Sequence, residues 1–341
     1  MQRRILGGTG ISVSELAFGG MMLGSWGNPD HEDGIRMVHA ALDRGINFVD
    51  TADMYSAGEN ERIIGKALKG RRDDVVLATK GHFPMGPDAN QGGNSRRWLT
   101  RALDDSLRRL DTDYVDLYQI HRPDATTDID ETLSVLSDFV RAGKVRVAGS
   151  SMLPAEQIVE AQWVAEKRGH VRFRTEQPPY SIFNRAIESA VLPTTLKYGM
   201  GVLTWSPLAS GWLSGRYDKA SDVDLSVGRR LLQAHKFDPA LPANAAKLVA
   251  VAELKKLAAE LGRPLTHVAL AFVRAHPGVT SAIIGPRTPE QLADLLAGTD
   301  LVLDAGALDR IDAIVPPGTD LNRFDADWAP PALTDPALRR R

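Results

Sequence analysis

Eight short runs rich in apolar and β-branched residues recur along the chain, at residues 16–21, 47–51, 75–80, 114–120, 145–150, 173–177, 201–205 and 281–284, with helix-length segments between them. Runs of this composition suit strands buried on both faces, which in proteins are parallel strands joined by crossover helices. Helices are expected at 32–44, 59–68, 96–110, 131–142, 155–168 and 186–198, with further ones at 243–261 and 266–275. Gly45, Gly143, Gly169 and Gly199 follow four of them. Glycine there permits the left-handed turn that ends a helix before the next strand. Eight strand-helix repeats imply an α/β chain closed into a (β/α)8 TIM barrel, with extra helices in the last third. Two short apolar segments flanking glycines within residues 3–18 predict a small N-terminal β-hairpin closing one end.

At 341 residues the chain is within the range of one such barrel, so a single domain over 1–341 is expected, with the tail from about 316 lying over the barrel mouth. The formal net charge of −2 offers no electrostatic case for a nucleic-acid or membrane partner. Cysteine is absent, which excludes disulfides, thiolate metal sites and a cysteine nucleophile. The eight histidines show no metal-binding spacing. No run approaches the roughly 18 apolar residues of a membrane helix, and the start lacks the apolar core of a signal peptide, so the cytoplasm is the expected compartment.

Three strand ends carry the chemistry: Asp50 to Tyr55 after the second, Lys80 on the third and His121 after the fourth. In a barrel of this kind the C-terminal strand ends converge on one face, so these four side chains are expected together. A Tyr phenol, with an unperturbed pKa of about 10, is a poor acid near neutrality unless a cation favours its phenolate. Lys80 supplies that cation, Asp50 its counter-charge, and His121 a hydrogen bond to a substrate oxygen. Taken singly each has an ordinary reading, as a helix cap, a core Tyr, a surface charge or a loop His. Their joint placement is what argues for a site.

The Asp50 to Tyr55 spacing, completed by Lys80 and His121, resembles the DxxxxY pattern and tetrad of the aldo-keto reductases, and the resemblance spans nearly the whole chain. It implies reduction of a small-molecule aldehyde or ketone by NADP, with NADPH preferred over NADH and Tyr55 as general acid. It also implies cofactor contacts. Gly20 and Met21 fall at the end of the first strand, and Asp50 borders the nicotinamide. Gly149-Ser150-Ser151-Met152 is similar to a Gly-x-Ser-Asn stretch, with Ser151 as a binding residue and Met152 in place of the family's Asn. Gln177 falls at the carboxamide position. Trp205 would stack on the nicotinamide, and Ser206, Leu208, Gly211 and Arg216 would line the pyrophosphate path. Gly285, Arg287 and Gln291 would hold the adenylate end, with Arg287 on the 2′-phosphate, while Leu295 replaces the family's Asn.

Residues 218–241 are polar and irregular and match the position of the loop that folds over the cofactor in that family. Arg229 and Arg230 within it are read as solvated surface, with phosphate contact as the alternative. Trp26, His82 and Phe83, with Trp212 as a further candidate, are expected around the substrate. Gly8-Thr9-Gly10 and Gly65-Lys66-Ala67 lack the spacing of nucleotide-binding glycine motifs. Three other functions are weighed: a sugar or sugar-nucleotide ketoreductase, suggested by residues 283–292; a cofactor-binding regulatory subunit resembling potassium-channel β-subunits; and, more weakly, a non-redox barrel lyase or isomerase.

Overall fold

The computed structural model describes residues 1–226, 231–329, 333 and 335–338. It begins with an antiparallel hairpin of β1 (Arg3–Ile5) and β2 (Ser12–Ser14). Eight parallel strands follow, β3 (Leu16–Gly19), β4 (Phe48–Asp50), β5 (Val76–Gly81), β6 (Val115–Ile120), β7 (Val145–Ser150), β8 (Thr175–Glu176), β9 (Gly201–Thr204) and β10 (Ser281–Ile284). Each pairs with the next in sequence, and β10 pairs with both β9 and β3, which closes the barrel. Long helices at His31–Asp43, Glu59–Leu68, Arg96–Leu110, Ile129–Arg141 and Ala155–Arg168 connect the earlier strands. Gly45, Gly143, Gly169 and Gly199 all have positive φ, between 62° and 94°, as the expected helix stops require.

Strand periodicity divides the core in two. Val49, Leu77, Tyr118, Ile120 and Ala148 point outward into the large cluster between strands and helices. Their neighbours Phe48, Ala78, Leu117, Val147, Leu203 and Ile283 point inward and fill the barrel, with Leu6 and Val13 of the hairpin packed into the same interior cluster. This is a packed layer rather than a channel. Because alternate residues of a strand share a face, the next inward positions toward the C-terminal ends are Asp50 after Phe48, Lys80 after Ala78, Gln119 and His121 after Leu117, and Trp205 after Leu203. The packed apolar layer is therefore the floor on which a polar site stands.

Three details differ from the sequence expectation. The helix expected over 186–198 is a 3-10 turn, Ala186–Glu188, and a separate short helix, Val191–Lys197. The Asp320 carboxylate accepts from the backbone N–H groups of Arg185 and Ala186 at 2.8 and 2.9 Å, tying the first turn to the C-terminal segment. Pro193 lies in the first turn of the second piece, where its missing N–H costs nothing. The strand expected over 173–177 is regular only at Thr175–Glu176, although Arg174 N and Gln177 N still donate to the Ala148 and Ser150 carbonyls of β7, and Pro178 and Pro179, with no N–H to give, keep the ladder from running on. A helix at Ala305–Ile314, capped by the Asp304 side chain accepting from Ala307 N at 2.8 Å, was not anticipated. The extra helices of the last third include Pro242–Glu260, Leu265–Ala275 and Pro289–Ala297. Among the described residues no helix is long and apolar enough to cross a membrane.

Candidate active site

Asp50, Tyr55, Lys80 and His121 come together above the interior layer, all at most 8% exposed. Lys80 Nζ donates to Asp50 Oδ1 at 2.5 Å and to the Thr51 carbonyl at 2.8 Å, and lies 3.4 Å from Tyr55 Oη. The other oxygen of Asp50 accepts from Gln177 Nε2 at 2.8 Å and Gln119 Nε2 at 3.3 Å. The carboxylate is thus spanned between a cation and two amides and can hold only one orientation. Tyr55 and His121 meet edge to face with ring centroids 5.7 Å apart.

Tyr55 reaches this position through a turn that the strand alone does not dictate. After β4 the chain enters a short 3-10 segment, Tyr55–Gly58, in which Ser56 and Ala57 adopt left-handed conformations. Buried Asn60, on the helix that follows, accepts from Thr51 Oγ1 and donates to the carbonyls of Gly20 and Leu23. One side chain therefore fixes the ends of β3 and β4 together. The Ser56 hydroxyl accepts from Trp26 N at 3.2 Å, which carries the Trp26 loop onto the same turn.

Electrostatics refine the expected division of roles. Burial pushes the Tyr55 phenol above its ordinary value, with the Lys80 charge opposing but not reversing the rise. Lys80 lowers the phenol as expected, and desolvation of a phenolate in this closed position outweighs that one cation. The phenol is therefore held in its protonated form, with Lys80 Nζ 3.4 Å from its oxygen. Burial alone would lower Lys80, but the Asp50 carboxylate beside it and then Tyr55 bring it above the usual ammonium value. His121 is driven well below the imidazole range by burial and then by the Lys80 and Arg122 charges, so it is a neutral ring. Its Nδ1 is buried with no hydrogen-bond partner among the described residues.

Of the residues singled out for a cofactor, Gln177 touches this cluster directly and Ser151 touches Gln177, while the others follow the ends of β3, β9 and β10. Ser151 is buried after β7, its hydroxyl donating to the Gln177 carbonyl at 2.8 Å. Its neighbour Met152, with φ of 66°, is buried. Gly149 leaves space that a Cβ would take, since one there would stand 2.1 Å from Thr175 Oγ1. Trp205 follows β9 and packs partly buried against the interior cluster. Beyond it Ser206, Ala209, Ser210 and Gly211 all have positive φ, and Ser206 Oγ accepts from Ser210 N at 2.9 Å. Leu208 lies within this turn, its carbonyl accepting from Gly211 N at 2.9 Å. Arg216 Nε donates to Ser214 Oγ at 2.9 Å, and its guanidinium packs so closely on Gly211 that a Cβ there would lie 2.3 Å from Nη2. Gly20 is buried and Met21 half-buried in the 3-10 turn Gly20–Met22, and Gly285 is exposed after β10.

At that last strand end Thr288 caps the helix Pro289–Ala297, and Gln291 Oε1 accepts from Arg287 N at 2.9 Å. The Arg287 side chain is exposed, with no carboxylate at ion-pair distance among the described residues. Leu295 is a core residue of the same helix. Arg229 and Arg230 lie outside the described residues.

Of the residues expected around a substrate, Trp26 is 47% exposed with its ring centroid 6.0 Å from that of Tyr55. Phe83 meets His121 edge to face at 4.9 Å and His82 at 5.3 Å. His82 Nδ1 is 2.9 Å from Asn94 Oδ1. Trp212 is corrected: it is fully buried, its indole N–H donating to the Lys236 carbonyl and its ring stacked on Phe237. A hydrophobic residue two positions into a tight turn faces the core as readily as the mouth, and here the helix Pro242–Glu260 covers it. Sequence reasoning missed Gln119, although its position two residues before His121 on an alternating strand would have placed it inward. Arg122 and Asp53 were also missed. Asp53 is buried with both carboxylate oxygens unpartnered among the described residues, and burial and then Glu61 push it up to about 8.

Comparison with known proteins gives a family-wide match. The model of the aldo/keto reductase family aligns with residues 15–316. An uncharacterized oxidoreductase, YrpG, of Bacillus subtilis (strain 168) is 40% identical over 329 residues, covering 93% of this chain and 96% of its own. A probable voltage-gated potassium channel subunit beta of Oryza sativa subsp. japonica is 37% identical, covering 92% and 97%. The aldo-keto reductase YhdN of B. subtilis (strain 168) is 33% identical, covering 92% and 94%.

Proposed function

The chain belongs to the aldo/keto reductase family, and from that premise we propose that it reduces an aldehyde or ketone to an alcohol with NADPH, Tyr55 donating the proton. The observation that carries this reading is the buried Asp50–Lys80–Tyr55 array, with Lys80 Nζ 2.5 Å from the carboxylate and 3.4 Å from the phenol. Addition of hydride to a carbonyl carbon places negative charge on oxygen, which then needs a proton and hydrogen-bond donors. Tyr55, protonated and raised by burial, gives its proton to that oxygen. Lys80 stabilises the phenolate left behind, and Asp50 holds Lys80 charged and aimed. Neutral His121 hydrogen-bonds the same oxygen without bringing a competing charge.

Bound dihydronicotinamide supplies the hydride. The residues present fit such a group. Gln177 lies against Asp50 with Ser151 bonded to its carbonyl, and the tight turn with left-handed Ser206, Ala209, Ser210 and Gly211 keeps side chains small where a pyrophosphate would approach the backbone. The capped helix start at Thr288 with the unpaired Arg287 suits a terminal phosphate, and this supports NADP over NAD. Trp26, Phe83 and His82 would border the substrate.

The test is a panel of small aldehydes, dicarbonyls, steroids and keto-sugars assayed with NADPH and NADH. Multiple-turnover oxidation of NADPH supports the reading, and a keto-sugar preference would narrow it to a sugar ketoreductase. A second reading is favoured by the potassium channel subunit beta description of one relative: a cofactor-binding regulatory subunit. Tight cofactor retention with very slow turnover in a stable tetramer would select it instead.

A further inference from the structure

Arg122 directly follows His121 and is half-buried. Its backbone is pinned, the carbonyl accepting from Asn94 Nδ2 at 3.0 Å. The side chain folds back along the site wall, with Nη1 donating to the His121 carbonyl at 2.7 Å and Cζ 5.3 Å from the Phe83 ring centroid. The Phe83 ring under the guanidinium itself meets His121 edge to face, so the charge lies beside the catalytic cluster.

Among the described residues no carboxylate lies at ion-pair distance from it. Two act on it from farther away. Asp327 is already paired with Lys236, and Glu176 is buried against Ser150 Oγ and Leu153 N. A guanidinium carries five N–H donors, and one of them is spent on a carbonyl. Holding a cation partly out of water without a counter-charge is unfavourable. A ligand carboxylate removes that cost with paired, charge-assisted hydrogen bonds. The ring contacts from Trp26 through Tyr55, His121 and Phe83 form a continuous aromatic wall that ends at this guanidinium.

We propose that Arg122 is a specificity-determining residue that binds the carboxylate of an aldehyde or ketone whose carbonyl lies at Tyr55 and His121, so that the preferred substrates are carbonyl acids with an aromatic or similarly flat spacer. This rests on the reductase reading above and names the substrate class of the same site.

The experiment compares 3- and 4-carboxybenzaldehyde with their methyl esters, which keep the shape and remove the charge, in wild type, Arg122→Met and Arg122→Lys. Wild type should favour at least one acid over its ester, chiefly through KM. Arg122→Met should lower kcat/KM for that acid by at least about tenfold, equivalent to about 1.4 kcal/mol, while the ester changes by no more than about twofold. Arg122→Lys should recover part of the acid rate, because the charge returns without the fork. Thermal unfolding followed by circular dichroism checks that each variant is folded. Should Arg122→Met fail that check, Arg122→Gln replaces it and is held to the same expected losses. Equal handling of acid and ester by wild type, or an equal loss of both in Arg122→Met, overturns this inference while leaving the reductase reading intact. Reduction of neither compound, nor of any other carbonyl, overturns both.

Discussion

Replacing Lys80 with methionine tests the buried array most sharply, because it affects fold and chemistry by separable amounts. Methionine fills nearly the same space and removes every donor. Asp50, 3% exposed, then keeps only the Gln177 and Gln119 amides, at 2.8 and 3.3 Å, against its charge. Removing one partner of a buried pair costs about 3–5 kcal/mol, a large part of the roughly 5–15 kcal/mol that holds a domain folded. Urea unfolding at neutral pH should show that loss. Turnover should fall by about 10² to 10⁴, the usual worth of assisted proton transfer, since the Tyr55 phenolate loses its cation. The variant Asp50→Asn/Lys80→Met separates the two effects. With no stranded charge it should regain roughly half or more of the lost stability, yet remain as slow as Lys80→Met. If the double variant recovered turnover along with stability, or if Lys80→Met kept wild-type turnover, the role given to Lys80 would be wrong.

Three further outcomes are expected. Asp50→Asn should impair NADPH consumption less than Lys80→Met, because Asp50 acts on the phenol only through Lys80; a reversed ranking would require another mechanism. Arg287→Ala should raise the NADPH dissociation constant by at least about tenfold, or about 1.4 kcal/mol, with NADH binding unchanged, as measured by fluorescence titration; equal loss for both coenzymes would make Arg287 a scaffold residue. Asp53 is raised from 3.8 to about 8 mainly by burial, so the folded state favours its neutral form. Its contribution to stability is fully present below the unfolded pKa and is lost as pH rises through the folded value. Asp53→Asn, which is always neutral, should therefore gain on wild type by at least about 1.4 kcal/mol, one pKa unit, between pH 5 and pH 8 in urea unfolding. Parallel pH profiles of the two proteins would contradict this.

The parts legible in the sequence are those that local chemistry dictates. Apolar runs separated by helix-length segments give strands and crossovers, and Gly45, Gly143, Gly169 and Gly199 mark helix ends because left-handed backbone is costly for other residues. The convergence of Asp50, Lys80 and His121 follows from strand ends sharing one face of a barrel. What escaped depends on contacts between distant segments. The break near Ala190 answers to Asp320, 130 or more residues away in the chain, and the burial of Trp212 answers to Lys236, Phe237 and Lys247. The net direction of the Tyr55 shift is likewise set by how closely the site is covered, a property that no motif carries. The tail shows the same limit. Asp325 pairs with Lys247 at 2.7 Å, Asp327 pairs with Lys236, and Asn322 donates to Asn244 Oδ1 at 2.7 Å. An aperiodic segment is thus fastened to the helix Pro242–Glu260 and to the short helix Ala234–Phe237 before it.

Tyr55→Phe tests the central claim most directly, because it removes one hydroxyl and leaves the ring against Trp26 and His121. NADPH binding by fluorescence and carbonyl reduction by loss of NADPH absorbance are to be measured on the same preparations of wild type and variant. The account predicts repeated turnover by wild type, unchanged NADPH affinity in the variant, and a rate lower by at least about 10². A Tyr55→Phe rate within a few-fold of wild type would contradict it.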